Sequence, residues 1–154
     1  MTLPSRRRSV LKTLISAAVW AGGLLPAWVV RAAERNAPAF DAKTLDEGLA
    51  AASVADAVET DLIVLKAPDI AENSALVHIE IESKLPDTRS ILLFAEKNPQ
   101  PFVAQFDILP GMDPFVAVRI KMAESAFLRV VVRAGGKSYV VRRETKVTLG
   151  GCAG

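Results

Sequence analysis

The stretch "LVHIEIES", residues 76–83, alternates apolar and polar side chains without a break. Val77, Ile79 and Ile81 fall on one face of an extended chain, and His78, Glu80 and Glu82 on the other. A helix would scatter these apolar residues around its axis, so the segment is restricted to a strand buried on one side only. After Asp61 the same period of two governs the rest of the chain. "RSILLFAEK", "FVAQFDIL" and "FVAVRIKM" are further strand candidates, separated by turn signals at "KNPQP" and "PGMDP". "FLRVVVRAGGKSYVVRRET" reads as two strands around Gly135-Gly136, a glycine pair able to take positive φ at a hairpin turn.

Ahead of the strands, Thr44-Leu45-Asp46-Glu47 has the capping-box pattern of a hydroxyl followed three residues later by Glu. It predicts a short helix through "LDEGLAAASV", weakened by Gly48. Residues 34–40 read as a loose leader. Six or seven short strands at spacings of about 10–14 residues, without alternating helices, define an all-β fold. The expected architecture is an immunoglobulin-like antiparallel β-sandwich with a short N-terminal helix and a flexible C-terminal tail. Its core is built from Val, Ile, Leu and Phe and uses no disulfide, because the chain has one cysteine.

The first thirty or so residues do not read as part of that fold. "SRRRSVLKTL" is followed by an apolar run from Leu14 to Val30 that contains Gly22, Gly23 and Pro26. A basic start, a short apolar core and a small-residue exit describe an export signal covering 1–32, with the folded domain occupying 33–149. Arg7 and Arg8, followed by Ser9, Val10, Leu11 and Lys12, resemble the twin-arginine pattern, which exports folded proteins to the bacterial periplasm. A general secretory signal with three arginines is the alternative. Neither reading leaves a membrane anchor once the signal is removed.

Removing residues 1–32 changes the charge balance. Five of 19 basic residues leave with them and no acidic ones, so 14 remain against 17 acidic residues, a net charge of −3. The basic character of the full chain is a property of the signal, and a nucleic-acid partner loses its support. Both tryptophans, Trp20 and Trp28, leave as well.

Little catalytic chemistry is present in what remains. His78 is the only histidine and sits on the polar face of an alternating strand, next to Glu80 and Glu82, which a solvated face explains. No metal-ligand cluster, phosphate loop or nucleophile elbow occurs in the sequence. Arg142, Arg143 and Lys146 form a small basic cluster: a solvated strand end, or an attraction for anions near the tail. The distinctive group is Cys152, flanked by Gly150, Gly151, Ala153 and Gly154. Residues 150–154 form a narrow, flexible arm, and from 149 to 152 an extended chain covers about 10 Å. An arm of this kind suits a carrier that presents its sulfur to another protein's active site. It does not suit a catalyst, whose nucleophile needs fixed neighbours. An exported structural subunit with an interchain disulfide through Cys152 is the competing reading, and a frayed-tail cysteine is a third.

The ending "KVTLGGCAG" behind a hairpin strand, together with "APDIAENSALVHIEIES" and "ILLFAEKNPQPFVAQFDI", resembles the SoxY family of the bacterial Sox thiosulfate-oxidation system. That resemblance implies an immunoglobulin-like sandwich in a heterodimer with a SoxZ-like subunit. It implies a periplasmic carrier that is not itself an enzyme. It needs no cofactor beyond a thiosulfate-derived adduct on Cys152, and no metal. The implied transient partners are a SoxAX-type haem enzyme that conjugates thiosulfate, a SoxB-type hydrolase that releases sulfate, and a SoxCD-type sulfane dehydrogenase. The family's usual ending has glycine where this chain has Ala153.

Overall fold

In a computed structural model the structure describes residues 35–148. The expected signal, with Arg7 and Arg8, and the expected arm at 150–154 lie outside the described residues. The described elements are α1 (Ala37–Asp41), α2 (Leu45–Ala51), β1 (Val58–Glu59), β2 (Ile63–Lys66), β3 (Ile70–Ala71), β4 (Val77–Ser83), β5 (Thr88–Ala95), β6 (Phe102–Asp107), β7 (Phe115–Ile120), β8 (Ala126–Ala134) and β9 (Lys137–Val147). None of the described helices is long and apolar enough to cross a membrane.

The strands form two sheets. One has the order β2-β4-β7; the other runs β1-β9-β8-β5-β6, with β3 also paired to β9. The chain crosses between the sheets from β4 to β5, back from β6 to β7, and again from β7 to β8. This is the immunoglobulin-like sandwich expected from the sequence.

The alternation that identified β4 puts Val77, Ile79 and Ile81 inside, against Ile91, Leu93, Leu128, Val130 and Val132 of the facing sheet. β5 behaves differently. Its Ile91, Leu92, Leu93, Phe94 and Ala95 are all fully buried, so its apolar run is continuous. Ile91 and Leu93 face the sandwich, while Leu92 and Phe94 face a second core with Val131, Val140, Phe102, Ala39, Leu49 and Val54. Strands covered on both faces read as unbroken hydrophobic runs. The helices therefore form a third layer over the larger sheet.

For residues 36–40 that layer corrects the expectation of a loose leader at 34–40. Asn36 caps α1 by accepting from the Ala39 N–H at 3.3 Å, and its side-chain amide donates to the Ala51 carbonyl at 3.2 Å. Ala39 is buried, and the Phe40 ring lies 4.5 Å from Phe102, which in turn lies 4.9 Å from Phe94. A five-residue helix has no stability of its own; this cluster of tilted aromatic rings against the sheet holds it.

The capping box of α2 forms as expected. The Glu47 N–H donates to Thr44 Oγ1 at 3.3 Å, and the Glu47 carboxylate accepts from the backbone of Lys43 at 3.1 Å and of Thr44 at 3.2 Å. At the hairpin, Gly135 and Gly136 both take positive φ, 56° and 77°, and pair Ala134 with Lys137 across a two-residue turn. Their backbone sign matches the twist of the flanking strands.

Two predictions follow from this packing. Phe94→Ala removes the ring that joins the helical layer to the sheet and lowers the unfolding free energy by about 3–5 kcal/mol, whereas the exposed Phe115→Ala costs under ~1 kcal/mol. Urea titrations followed by circular dichroism measure both. The hydrogen bonds from the Lys43 and Thr44 amides hold the Glu47 carboxyl below its ordinary pKa. A lowered folded pKa stabilises above the unfolded value, and the gain is lost as pH falls through the folded one. The melting temperature of Glu47→Gln is therefore below that of the parent at neutral pH, and the two converge in the acid range.

Candidate functional site

β9 is the longest strand and the one that leads to residues 149–154. From Lys137 to Thr145 it is laddered to β8, ending at the pair Ala126–Thr145. Beyond Thr145 that ladder stops, yet the backbone groups of 146–148 still need partners. In an extended chain successive N–H groups point to opposite edges, and the structure satisfies each edge separately. The Lys146 N–H donates to the Asp69 carbonyl at 2.9 Å, and the Thr148 N–H to the Ala71 carbonyl at 3.1 Å. On the opposite edge the Val147 N–H donates to Ser125 Oγ at 2.9 Å, and the Ser125 hydroxyl contacts the Val147 carbonyl at 3.4 Å.

Asp69 to Ala71 belong to a strap, residues 67–76, that connects β2 to β4 and carries β3. Ile70 and Ala71 pair in parallel with Lys146 and Val147. The strap is turned by Asn73, which accepts from the Ala75 N–H through its side chain at 2.9 Å and from the Leu76 N–H through its carbonyl at 3.2 Å. The Ser74 carbonyl then accepts from the Met122 N–H at 2.8 Å. The loop beyond Met122 is pinned in turn by Asn98, which donates to the Lys121 carbonyl at 2.9 Å and accepts from the Ala123 N–H at 2.8 Å. The chain thus leaves the sandwich between two braced supports, the strap on one side and Ser125 on the other.

The charges near this exit differ from a simple basic patch. Arg142 pairs with Glu59 at 2.7 Å and Arg143 with Asp69 at 2.8 Å. Both pairs are solvent-exposed and add little stability, but they neutralise two of the three cations in the cluster. Among the described residues Lys146 has no ion-pair partner. It lines a recess beside the exit together with Asp69, Ile70, Arg143 and Glu144.

The remaining polar candidates lie elsewhere. His78 is exposed, as expected, on the outer face of the three-stranded sheet. Its Nε2 is 3.4 Å from Glu80, which also accepts from Lys66 at 3.3 Å. The Lys66 hydrogen bond, followed by that of His78, holds the Glu80 carboxyl below its ordinary pKa. No cluster of three His, Cys, Asp or Glu side chains occurs among the described residues. Cys152 and its neighbours Gly150, Gly151, Ala153 and Gly154 fall outside them. The residues that hold the exit, Asp69, Ala71, Asn98 and Ser125, were not singled out by sequence; only Asn73, in a turn-forming "ENS", carries a local signal.

Fold and exit together define an immunoglobulin-like domain whose last strand is braced at the point where a glycine-flanked cysteine follows four residues on. The chain belongs to the SoxY family: the family model described as "Sulfur oxidation protein SoxY" matches residues 50–152, from within α2 to Cys152. Among solved structures, the sulfur carrier protein SoxY from Chlorobium limicola f. thiosulfatophilum is 43% identical, with a TM-score of 0.62, covering 69% of this chain and 97% of that one. A superoxide reductase (neelaredoxin) from Ignicoccus hospitalis is 20% identical, with a TM-score of 0.51 over 58% of this chain and 82% of that one. That second likeness is one of fold alone. Comparison with curated proteins gave no match.

Ser125→Ala leaves the partly buried Val147 N–H without its partner, at a cost of about 1–2 kcal/mol confined to the strand end. Amide exchange at Val147 and Thr148 is expected to quicken by roughly tenfold, since ~1.4 kcal/mol corresponds to a factor of ten, while exchange in β5 is unchanged.

Proposed function

We propose that this protein is a periplasmic sulfur carrier, not an enzyme, in which Cys152 takes up thiosulfate and presents the bound sulfur to other proteins. The observation that carries the reading is the family match, which runs to the cysteine at 152. The carrier named at 43% identity supports it. So does the braced exit of β9, which gives a glycine-rich segment a fixed origin. The interchain-disulfide reading has no comparable support beyond the odd cysteine.

In this reading the thiol and thiosulfate lose two electrons to a haem-enzyme partner of SoxAX type. Cys-SH and S2O3(2−) give Cys-S-S-SO3(−), one proton and two electrons. Water then cleaves the terminal group in a SoxB-type hydrolase, giving sulfate, two protons and the persulfide anion Cys-S-S(−). A SoxCD-type dehydrogenase is the route by which the remaining sulfane sulfur is oxidised. No step needs a base or metal in this chain, and none is assigned to it. Gly150 and Gly151 serve as the joint of the arm and Gly154 as part of its narrow tip. Ala153 adds one methyl group where glycine has none and reduces backbone freedom beside the thiol. A SoxZ-like subunit completes the stable complex, and Arg7 and Arg8 direct it across the membrane by the twin-arginine route.

Intact-mass spectrometry of protein purified from thiosulfate-grown cells tests the proposal. Reductant-labile adducts of sulfur-oxyanion mass are expected on the parent and absent from Cys152→Ser. Disulfide-linked dimers alone, with no adduct under any sulfur supply, would sink it.

A further inference from the structure

We propose that the strap at 67–76, through the exposed side chains of Ile70 and Leu76, is the surface on which an enzyme acting on the Cys152 thiol lands. The inference rests on the carrier reading and specifies where its enzymes must touch the domain.

Reach sets the constraint. Four Cα–Cα steps separate Thr148 from Cys152, so the cysteine travels at most about 14 Å from the braced exit. Any depth of recess in the receiving protein is subtracted from that length. The rim of such a recess must therefore rest against the loops around Thr148.

Of the two supports the strap is the one that bonds Thr148, through the Ala71 carbonyl, and its two sides have separate tasks. Its backbone holds the chain through the Asp69 and Ala71 carbonyls, and the Ala71 side chain packs inward. The Ile70 side chain is 59% exposed beside Lys146, and Leu76, at the other end of the strap, is 59% exposed. Neither fills a core position, so packing does not account for their apolar character. The loop pinned by Asn98 is more polar, with Lys97 facing Glu124 at 3.7 Å. Two apolar side chains within a mixed-charge rim match a brief, low-area contact, as a carrier that must leave each enzyme requires.

A second exposed apolar group comprises Leu109 at 64% and Met112 in the β6–β7 connection and Phe115 at the start of β7. It lies at the opposite end of the sandwich, where Asp107 pairs with Ser90 near the start of β5. The eight residues of β5 put about 25 Å between the two ends, beyond the reach of the cysteine.

The test compares two rates in Ile70→Glu/Leu76→Glu and in Leu109→Glu. The first is adduct formation on Cys152, read by intact mass, with thiosulfate and an extract of thiosulfate-grown cells. The second is the enzyme-free reaction of the thiol with 5,5′-dithiobis(2-nitrobenzoate). The double variant is expected to lose about tenfold or more in the first rate and nothing in the second, with an unchanged circular dichroism spectrum. Leu109→Glu is expected to load as the parent does. Normal loading of the double variant overturns the proposal, as does a parallel fall in both rates, or a larger loss in Leu109→Glu. A parent protein that takes no adduct overturns the carrier reading and this inference with it.

Discussion

The structure depends on the burial of β5 and β8 from both sides at once. Ile91, Leu93, Val130 and Val132 close the sandwich, and Leu92, Phe94 and Val131, one residue out of phase, receive the helices. Because successive strand residues point to opposite faces, a one-residue slip in this pair would exchange the two cores. Register is thus fixed by two independent sets of contacts, and the strands flanking the pair inherit it. β9 takes its register from β8 over nine residue pairs, which is what lets its far end be positioned so definitely.

Much of this was legible in the residues. The alternation of "LVHIEIES" placed β4 with its faces correctly assigned, and the glycine pair located the hairpin. Thr44 and Glu47 marked the helix start. These signals are local, carried by residues a few positions apart. The burial of β5 on both faces was written in the unbroken run "ILLFA", although a run of that length does not say what covers its second side.

What escaped sequence reading is non-local. α1 spans only five residues, and its stability comes from Phe40 meeting Phe102 and from Asn36 reaching Ala51. β1 and β3 are two residues each and exist because β9 offers them an edge. The pairs Arg142–Glu59 and Arg143–Asp69 join residues 83 and 74 positions apart, so a cluster that looks basic along the chain is largely neutralised in space. The same holds for the candidate site: the cysteine stood out by composition, while Ser125 and the strap became visible only once β9 was laid against them.

The parallel pairing of β1 and β3 with β9 also sets an order of events. Val58 meets Tyr139 and Ile70 meets Lys146, so the earliest strands of the domain wait for its latest one. Loop closure over some eighty residues slows such contacts relative to hairpins. During synthesis the outer edge of the large sheet stays open until β9 has left the ribosome. The strap's hold on β9 cannot form before that moment, so a chain with a braced exit is one that has already been made through residue 148.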